Sequence, residues 1–504
     1  MIEQLMAGFQ AAFTFYNLLF IAAGIAIGIV IGALPGLGSI TAMAVMIPVT
    51  FYMSPLTAIA FLVGLNKGGT SGGAIPAILL NSPGSAEAVA TAFDGYPMAK
   101  RGEAQRALKF ALYSSVTGDS ISDLLLIVLV VPFAAIALQF GPLEFTAILL
   151  FAFILLAGVT GASPIKGLIA IFIGVFLSTV GLDPMDSSAR MVFGQVDLFD
   201  GISLVAMSVG ALALASIVEQ IYDCYWAKPE DGPGFVPPTA VTKTRVTAGE
   251  FFSYWKTILR SSLIGSLVGM LPGLGVTLAA LLGYNTAKRF SRTPSKFGTG
   301  TPEGIVATEA ANSAVVGSNL IPTLALGIPG NIAAALLIGA FMIHGIVPGP
   351  FMMVQHGELV YALFASMLMA NVVHLIIGRL GIPIWSLIAY VPRSVVLPPV
   401  LALCIVGVYL PGQSLFDVGI MLIFAAIGLL MNRTGFSTVC LVIGFLLGSM
   451  FENSLRQTLL LYKNDWSSVI ESPIALVFLV LAAMLLIFSL RAPKEDVETD
   501  PTER

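Results

Sequence analysis

The feature that most constrains this chain is a succession of apolar stretches of membrane-spanning length. A spanning helix needs roughly 20 apolar residues, so the 504-residue chain has room for about 12 spans. Because Gly and Pro interrupt several stretches, we expect broken helices or re-entrant hairpins in an all-α polytopic membrane protein. The stretches lie near residues 13–34, 39–65, 108–138, 143–160, 165–182, 200–222, 258–284, 303–347, 358–378, 382–410, 413–431, 435–450 and 472–490.

The composition excludes several other classes of protein. Hydrophobic residues make up 57% of the chain and charged residues 10%, against about 45–50% and about 25% in soluble domains. This argues against a cytosolic enzyme, a disordered chain, a coiled coil or a disulfide scaffold. The net charge of −4 provides no basic surface for nucleic acid. Cys224, Cys404 and Cys440 are too widely spaced to indicate a zinc site, and no other metal or cofactor is predicted. The first apolar stretch is too long for a signal peptide.

Two motifs recur in order along the chain. The pentapeptide Leu-Pro-Gly-Leu-Gly occurs at 34–38 and at 271–275, and the pairs Ile-Pro and Pro-Gly at 75–76 and 83–84 recur at 321–322 and 329–330. The second match has a larger offset than the first, so the second copy carries a nine-residue insertion between the motifs. We predict a first membrane half at 1–222, a polar and cytoplasmic linker at 223–256, a second half at 257–490 and a charged tail at 491–504.

Basic residues occupy different loops in the two halves. In the first half they follow the second motif, and in the second half they lie between the motifs. Since cytoplasmic loops collect Lys and Arg, this alternation indicates two repeats of inverted topology, a common architecture of secondary transporters. Unequal charges on a parallel repeat are the alternative. The basic residues are Lys100, Arg101, Arg106 and Lys109, and then Lys288, Arg289, Arg292 and Lys296.

Corresponding Gly- and Pro-rich segments in both halves are the best indicator of a substrate site at the repeat interface. Four glycines between Asn66 and Gly73 predict an unwound segment that lets a ligand approach the backbone. The helix-break residues are Pro35, Gly36 and Gly38, with Pro272, Gly273 and Gly275. The predicted substrate-binding residues are Asn66, Lys67, Gly68, Gly69, Thr70, Ser71, Gly72, Asn81 and Ser82, with Asn312, Ser318, Asn319, Pro329 and Gly330 in the second half.

Lys67 is the most informative single residue. It lies about 18 Å of helix after Pro55, which places it deep in the membrane. A charge at that depth needs a partner or a function. One interpretation is a cation that binds an anionic substrate, helped by helix N-termini. The alternatives are a lysine that snorkels to the interface or pairs with Glu87.

Three acidic residues are candidates for ion coupling. Asp119 and Asp123 lie one helical turn apart in an apolar stretch, and Glu309 precedes the second-half motif. Such carboxylates bind Na⁺ or carry protons. Alternatively, the aspartates cap a helix that starts near Asp119, and Glu309 is an ordinary first-turn charge. In a looser register, Asp123 aligns with His374 and Ser120 with Asn371.

At these motifs the chain resembles the large membrane subunit of the tripartite tricarboxylate transporter family, the TctA type. The resemblance covers most of the first 350 residues. It rests on the segments 32–38, 66–73, 75–84, 94–99 and 320–330.

The resemblance implies a bacterial inner-membrane solute transporter with a small membrane subunit and a periplasmic substrate-binding protein. Such systems import carboxylates such as citrate, coupled to an ion gradient rather than ATP. The sequence agrees, because it contains no Walker P-loop. The carboxylate and the choice of Na⁺ or H⁺ stay open.

Two other functions are compatible with parts of the sequence. Gly69-Thr70-Ser71-Gly72-Gly73 matches the nucleophile motif of serine hydrolases, which requires a strand-to-helix turn or, in intramembrane proteases, a histidine within reach of Ser71. The only histidines are His344, His356 and His374. A passive anion channel is the other alternative, because broken helices also build pores.

Overall fold

The computed structural model describes residues 2–34, 37–159, 163–226, 245–272, 275–388, 391, 393–462 and 472–491. Most of these residues are helical, as the sequence predicts. The helices are α1 (Ile2–Ala12), α2 (Phe15–Gly32), α3 (Ser39–Met46), α4 (Pro55–Gly72), α5 (Ala74–Leu80), α6 (Val89–Met98), α7 (Ala104–Ala137), α8 (Pro142–Val159), α9 (Pro164–Ser178), α10 (Leu204–Ser208), α11 (Ala215–Trp226), α12 (Ala248–Phe252), α13 (Trp255–Met270), α14 (Gly275–Phe290), α15 (Pro302–Ser318), α16 (Leu320–Leu326), α17 (Ile332–Ile343), α18 (Met352–Gln355), α19 (Gly357–Ile388), α20 (Arg393–Gly412), α21 (Leu415–Arg433), α22 (Thr438–Tyr462) and α23 (Pro473–Arg491).

Shorter elements connect these helices. Strands β1 (Gly181–Leu182) and β2 (Ala189–Arg190) form an antiparallel hairpin in which Gly181 pairs with Arg190. The remaining turns are 3₁₀ segments at Ile47–Tyr52, Ala86–Ala88, Val196–Leu198 and Pro294–Lys296, and π-helical segments at Ala99–Glu103 and Val209–Leu214.

Seven helical segments in the described part of the chain are long and apolar enough to cross a membrane. The predicted total of about 12 spans is therefore not confirmed. The central helices α4 and α15 are absent from this set although they are buried, because they carry many polar side chains and glycines. The seven segments are Phe15–Gly32, Ala86–Ala137, Leu204–Tyr222, Gly357–Trp385, Ser394–Gly412, Leu415–Arg433 and Thr438–Tyr462.

The prediction of an unwound segment from Asn66 to Gly73 is wrong, because α4 is helical as far as Gly72. Its glycines serve helix packing. Gly64, Gly68 and Gly72 recur every four residues and face α2, where Gly24, Gly28 and Gly32 have the same spacing. A Cβ on Gly28 would lie closer than 3.0 Å to the carbonyl oxygen of Leu65. Small residues at this spacing let two helix backbones touch, and the lack of side chains is what makes the α2–α4 contact possible.

The second half repeats this helix contact at equivalent positions. A Cβ on Gly265 of α13 would lie closer than 3.0 Å to the carbonyl oxygen of Ala311 in α15. Gly265 corresponds to Gly28 in the register of the first repeated motif, and Ala311 corresponds to Leu65 in the register of the second. The two registers of the sequence repeat therefore relate the same pair of touching backbones in both halves.

The connections after α5 and α16 also repeat. Asn81 ends α5 in the left-handed region with φ 53°, and Gly327, at the corresponding position of the second half, ends α16 with φ 74°. The next residue in each half donates its N–H to the equivalent proline carbonyl: Ser82 to Pro76 at 3.4 Å and Ile328 to Pro322 at 3.3 Å. After each turn a glycine contacts the end of an earlier helix. Gly84 contacts Gly32 of α2, and Gly330 contacts Gly269 of α13.

The two halves also exchange contacts. Helix α4 of the first half packs on α19 of the second, while α15 of the second half packs on α7 of the first. The loops follow the same rule. Arg101 donates to the carbonyl of Thr299 at 2.8 Å, and the 3₁₀ segment Ile47–Tyr52 of the first half contacts α17 of the second. The basic loop of the first half therefore contacts the segment that directly follows the basic loop of the second half.

The predicted helix-break residues fall at helix ends wherever the structure describes them. Gly38 precedes the first residue of α3, Pro272 follows α13, and Gly275 begins α14 with φ 73°. Pro35, Gly36 and Gly273 lie outside the described residues, as do linker residues 227–244 and tail residues 492–504. The second half is expected to start at residue 257, and α13 begins slightly earlier, at Trp255.

Candidate functional site

Lys67 lies at the centre of the packed helices, with 1% of its surface exposed. Its Nζ is 2.7 Å from Asp123 Oδ2 and 3.6 Å from Asp119 Oδ1. Both aspartates lie in α7, one turn apart, and both are fully buried. The helix contact between α4 and α7 thus brings together one cation and two carboxylates that are far apart in sequence.

Helix α19 of the second half completes this arrangement. Asn371 accepts a hydrogen bond from Lys67 Nζ at 2.7 Å through its Oδ1 and donates from its Nδ2 to Asp123 Oδ2 at 2.8 Å. His374, one turn later, places Nδ1 3.9 Å from Asp119 Oδ2. We refer to Lys67, Asp119, Asp123, Asn371 and His374 as the buried charged centre.

The charges of this centre do not balance when both aspartates are ionised. Lys67 is a single cation, and its shorter contact is with Asp123. Neither carboxylate oxygen of Asp119 has a hydrogen-bond partner, and neither has Asp123 Oδ1. Burying an unpaired carboxylate is costly, so one carboxylate of the centre requires a proton or a cation.

Four alternatives raised by the sequence are wrong. Lys67 neither snorkels to an interface nor pairs with Glu87, since its partners are the two aspartates of α7. Those aspartates do not cap a helix, because α7 begins at Ala104 and continues to Ala137. Glu309 is not a first-turn charge, since α15 starts at Pro302, two turns earlier.

Ser71 joins the buried charged centre from its place one turn after Lys67. Its Oγ is 2.7 Å from His374 Nε2 and also donates to the carbonyl of Gly68 at 3.2 Å. Ser71, His374 and Asp119 therefore follow one another in the order of a serine-hydrolase triad. The surroundings differ from such an enzyme: Ser71 lies within α4, whose backbone N–H groups are used by the helix, and not on a strand-to-helix turn.

Glu309 forms a second buried acidic site. It is completely enclosed, and its oxygens accept hydrogen bonds from Thr91 Oγ1 at 2.5 Å and from Ser115 Oγ at 2.9 Å. These hydroxyls come from α6 and α7 of the first half. Unlike Asp119, Glu309 thus has a partner for each oxygen.

The predicted residues of the second half lie in a buried polar region around α15. Asn312 and Asn319 have no hydrogen-bond partner for either amide atom, and Ser313 has none for its hydroxyl. Ser318 instead donates to the carbonyl of Ala314 at 2.8 Å. Gly317 packs against Asp123, which connects this region with the buried charged centre.

Other predicted substrate residues lie apart from the centre. Asn81 is exposed at the end of α5 and Ser82 is half-buried in the following turn, whereas Pro329 and Gly330 are buried. Gly68, Gly69 and Gly72 contact other backbones or Ser39. Asn66 and Thr70 are buried on α4. The structure therefore brings Lys67 and Ser71 together with acidic residues, and it places Asn81 and Ser82 at the surface.

Asp94, in one of the segments that carry the family resemblance, anchors the start of α15. Its Oδ1 accepts backbone N–H bonds from Gly298, Gly300 and Thr301 at 3.0, 2.8 and 2.9 Å, and its Oδ2 accepts the Tyr284 hydroxyl at 3.0 Å. The carboxylate thus satisfies donors at a helix entry in the other half, which is a structural role.

Replacing Asp94 by alanine is expected to destabilise the protein by about 3 kcal/mol, since three backbone N–H groups, one of them in a buried hydrogen bond, would lose a charged acceptor. Thermal unfolding of the purified protein in detergent measures the effect. Tyr284→Phe is the matched control, because it removes one neutral hydroxyl and is expected to cost about 1 kcal/mol. Equal melting temperatures for the two variants would contradict this role for Asp94.

Asn371 and His374 belong to the site, but the sequence does not predict this. It only aligns them, in a looser register of the repeat, with Ser120 and Asp123. Their signal is two polar side chains one turn apart within the apolar stretch 358–378. Thr91 and Ser115 give no signal in the sequence, because single hydroxyls in apolar helices are common and usually bond to their own backbone.

Comparisons with known proteins identify similar sequences. Residues 18–443 match the model of the tripartite tricarboxylate transporter TctA family. An uncharacterised 52.8 kDa protein of the TAR-I ttuC′ 3′ region of Agrobacterium vitis is 32% identical over 490 residues, covering 97% of this chain and 96% of that protein. A second uncharacterised protein, from the TAR-II ttuC′ 3′ region of the same organism, is 33% identical over 226 residues, 45% of this chain and 93% of that protein.

No solved structure matches the chain. The family model covers well over half of the residues, and the longer relative is similar along nearly the whole length. The matched region includes both copies of the repeated motifs and every residue of the buried charged centre. This multi-pass membrane protein therefore belongs to the tripartite tricarboxylate transporter TctA family of transporters.

Proposed function

We propose that the chain is the large membrane-spanning subunit of a secondary transporter that imports small carboxylates of the citrate type across a bacterial inner membrane. A small membrane subunit and a periplasmic substrate-binding protein would complete the system. The observation that carries the proposal is the pair of equivalent interrupted segments, α4–α5 and α15–α16, that meet around buried polar groups in a member of this family. Such pairs form substrate sites in transporters built from repeats.

The chemistry of the buried groups suits an anionic substrate. Among the described residues, Lys67 is the one Lys or Arg that is buried, and the amides of Asn312 and Asn319 have no partners. These groups would bind carboxylates, with Asn66, Thr70 and Ser71 adding hydrogen bonds. Lys67 would have to exchange an aspartate for a substrate carboxylate, which links substrate binding to the charge state of Asp119 and Asp123.

Inverted orientation of the two halves is part of this proposal. The basic loop of the first half contacts the second half next to its basic loop. The two basic loops occupy positions that do not correspond in the repeat. The equivalent pair of loops, around 50–55 and 343–356, contains no Lys or Arg. Because basic loops face the cytoplasm, the first pair would be cytoplasmic and the second pair periplasmic.

Labelling of single cysteines tests the orientation. Lys100→Cys and Val347→Cys occupy corresponding, exposed loops of the two halves, and inversion predicts labelling from opposite faces of the membrane. Arg292→Cys should label from the same face as Lys100→Cys. If positions 100 and 347 both react with an impermeant reagent from the cytoplasmic side, the repeats are parallel and this part of the proposal is wrong.

The direct test of substrate class is exchange of radiolabelled carboxylate in proteoliposomes that contain both membrane subunits, with the binding protein added outside. Di- and tricarboxylates should exchange, while monocarboxylates and neutral sugars should not. Exchange that is independent of the binding protein, or that accepts all anions equally, would favour a passive channel.

The arrangement of Ser71, His374 and Asp119 favours a second candidate function, an intramembrane serine hydrolase. Ser71→Ala separates the two. The transporter predicts that the variant still exchanges carboxylate, at an altered rate, and that a serine-directed fluorophosphonate does not label the wild type. Covalent labelling that disappears in Ser71→Ala would favour the hydrolase.

A further inference from the structure

A narrow cleft of about 30 Å³ reaches Ser71, next to the buried charged centre, from the side of α5 and α19. Its walls are mainly apolar, with Ile29, Leu108, Ile382 and Trp385 among them. Ser71 supplies the only hydroxyl among the residues that line it. The cleft therefore ends on the one side chain that also contacts His374.

A series of proton-transfer groups begins at this hydroxyl. Ser71 Oγ lies 2.7 Å from His374 Nε2, and His374 Nδ1 lies 3.9 Å from Asp119 Oδ2. Asp119 is fully buried and neither of its oxygens has a hydrogen-bond partner, nor has His374 Nδ1. The series ends on a carboxylate that the surrounding protein leaves unsatisfied.

The charged groups around Asp119 come from α4, α7 itself and α19. Lys67 of α4 is 3.6 Å away but is held more closely by Asp123 of α7, the neighbouring carboxylate. His374 faces it from α19. Glu309 of α15 is already bound by Thr91 and Ser115. Asp119 is thus the carboxylate in excess over the available cation.

We propose that Asp119 carries a proton through the transport cycle and that Ser71 and His374 deliver this proton from the cleft. The proposal rests on the proposed function, since it names the coupling ion and its binding group. A proton fits better than Na⁺ because it would neutralise the carboxylate. A Na⁺ ion bound to Asp119 would keep its own charge and would be repelled by the Lys67 ammonium group, which is 3.6 Å from Asp119. One proton removes the single excess negative charge.

The transfer can be written with all atoms in balance. The Ser71 hydroxyl first turns from the Gly68 carbonyl toward His374 Nε2. It then passes its proton to Nε2 as it accepts one from hydronium in the cleft, and the proton on Nδ1 moves to Asp119 Oδ2. Hydronium becomes water and the carboxylate becomes a carboxylic acid. For the last step, the 3.9 Å distance between His374 Nδ1 and Asp119 Oδ2 must shorten. The imidazole proton then returns from Nε2 to Nδ1, which restores the starting tautomer of His374. The protonated centre has no net charge, which lowers the cost of moving it within the membrane.

The test uses proteoliposomes containing the complete transporter and a trapped pH-sensitive dye. For Asp119→Asn, the readout is proton entry relative to carboxylate entry: at whatever rate the variant exchanges carboxylate, substrate entry should no longer carry protons inward. Asp119→Glu, which titrates, should retain proton entry. His374→Gln should slow substrate-coupled proton entry about 10²-fold, as expected on removing a positioned proton-transfer group. Ser120→Ala is the matched control, because its hydroxyl bonds to the Val116 carbonyl of its own helix.

The outcomes separate this proposal from the transport function itself. If the wild type does not exchange carboxylates, the proposed function fails. If it exchanges them and Asp119→Asn still gives the wild-type dye response, only the proton assignment fails. Loss of exchange in a folded Asp119→Asn protein would also overturn it, since Asp119 would then act in substrate binding. Uptake that is driven by a Na⁺ gradient and gives no dye response would show that the coupling ion is Na⁺ and not a proton.

Discussion

Replacing Lys67 by alanine is expected to abolish carboxylate uptake and to destabilise the protein by about 3–5 kcal/mol, the cost of removing one partner from a buried ion pair. Asp119 and Asp123 would face each other without a cation, and Asn371 would lose the donor that its Oδ1 accepts from. Uptake into cells and thermal unfolding of the purified protein measure the two effects.

A second substitution separates the structural effect from the functional one. Adding Asp123→Asn to Lys67→Ala removes the carboxylate closest to the missing ammonium, so we expect most of the stability to return while uptake stays absent. Lys256→Ala, which removes an exposed lysine of α13, is the matched control and should behave as the wild type. Normal uptake by Lys67→Ala would show that Lys67 has no part in transport.

Adding a single methyl group to either central helix contact is expected to cost about 1–3 kcal/mol, the range measured for overpacked interiors. The Cβ of Gly28→Ala would lie closer than 3.0 Å to the Leu65 carbonyl oxygen, and that of Gly265→Ala would lie equally close to the Ala311 carbonyl oxygen. Both neighbours are backbone atoms of a packed helix, so neither can turn aside as a side chain would. The measurement is the melting temperature in detergent.

The equivalence of the two halves makes this prediction specific. Gly28→Ala and Gly265→Ala should lower the melting temperature by similar amounts, because the repeat places them at the same contact. Gly419→Ala in α21 is the control: its Cβ would meet no atom within 4 Å, and alanine is the better helix former by up to about 1 kcal/mol. A stable Gly28→Ala protein would mean that α2 and α4 are farther apart than described.

Much of the architecture could be predicted from the sequence because apolar length and repetition are local signals. The two repeated motifs correspond to touching backbones and to equivalent turns at Asn81 and Gly327. The glycines of α4 mislead for a physical reason. Four glycines in eight residues predict an unwound segment, but Gly64, Gly68 and Gly72 recur every four residues. This spacing, matched by Gly24, Gly28 and Gly32, indicates a packed helix face.

The candidate site was only half predictable. A lysine deep in an apolar segment indicates a partner, and the sequence drew attention to Lys67, Asp119 and Asp123 separately. It could not pair them, since 56 residues separate Lys67 from Asp123 and 304 from Asn371. Contacts between distant helices depend on packing, which spacing along the chain does not reveal.

The most direct test of the central claim is uphill accumulation of citrate by proteoliposomes holding both membrane subunits, with the binding protein outside. Under an inward proton gradient without sodium, we predict internal citrate above the external concentration, abolished by dissipating the gradient and by Lys67→Ala. Equilibration without accumulation, under proton and sodium gradients alike, would contradict a secondary transporter and leave a passive channel.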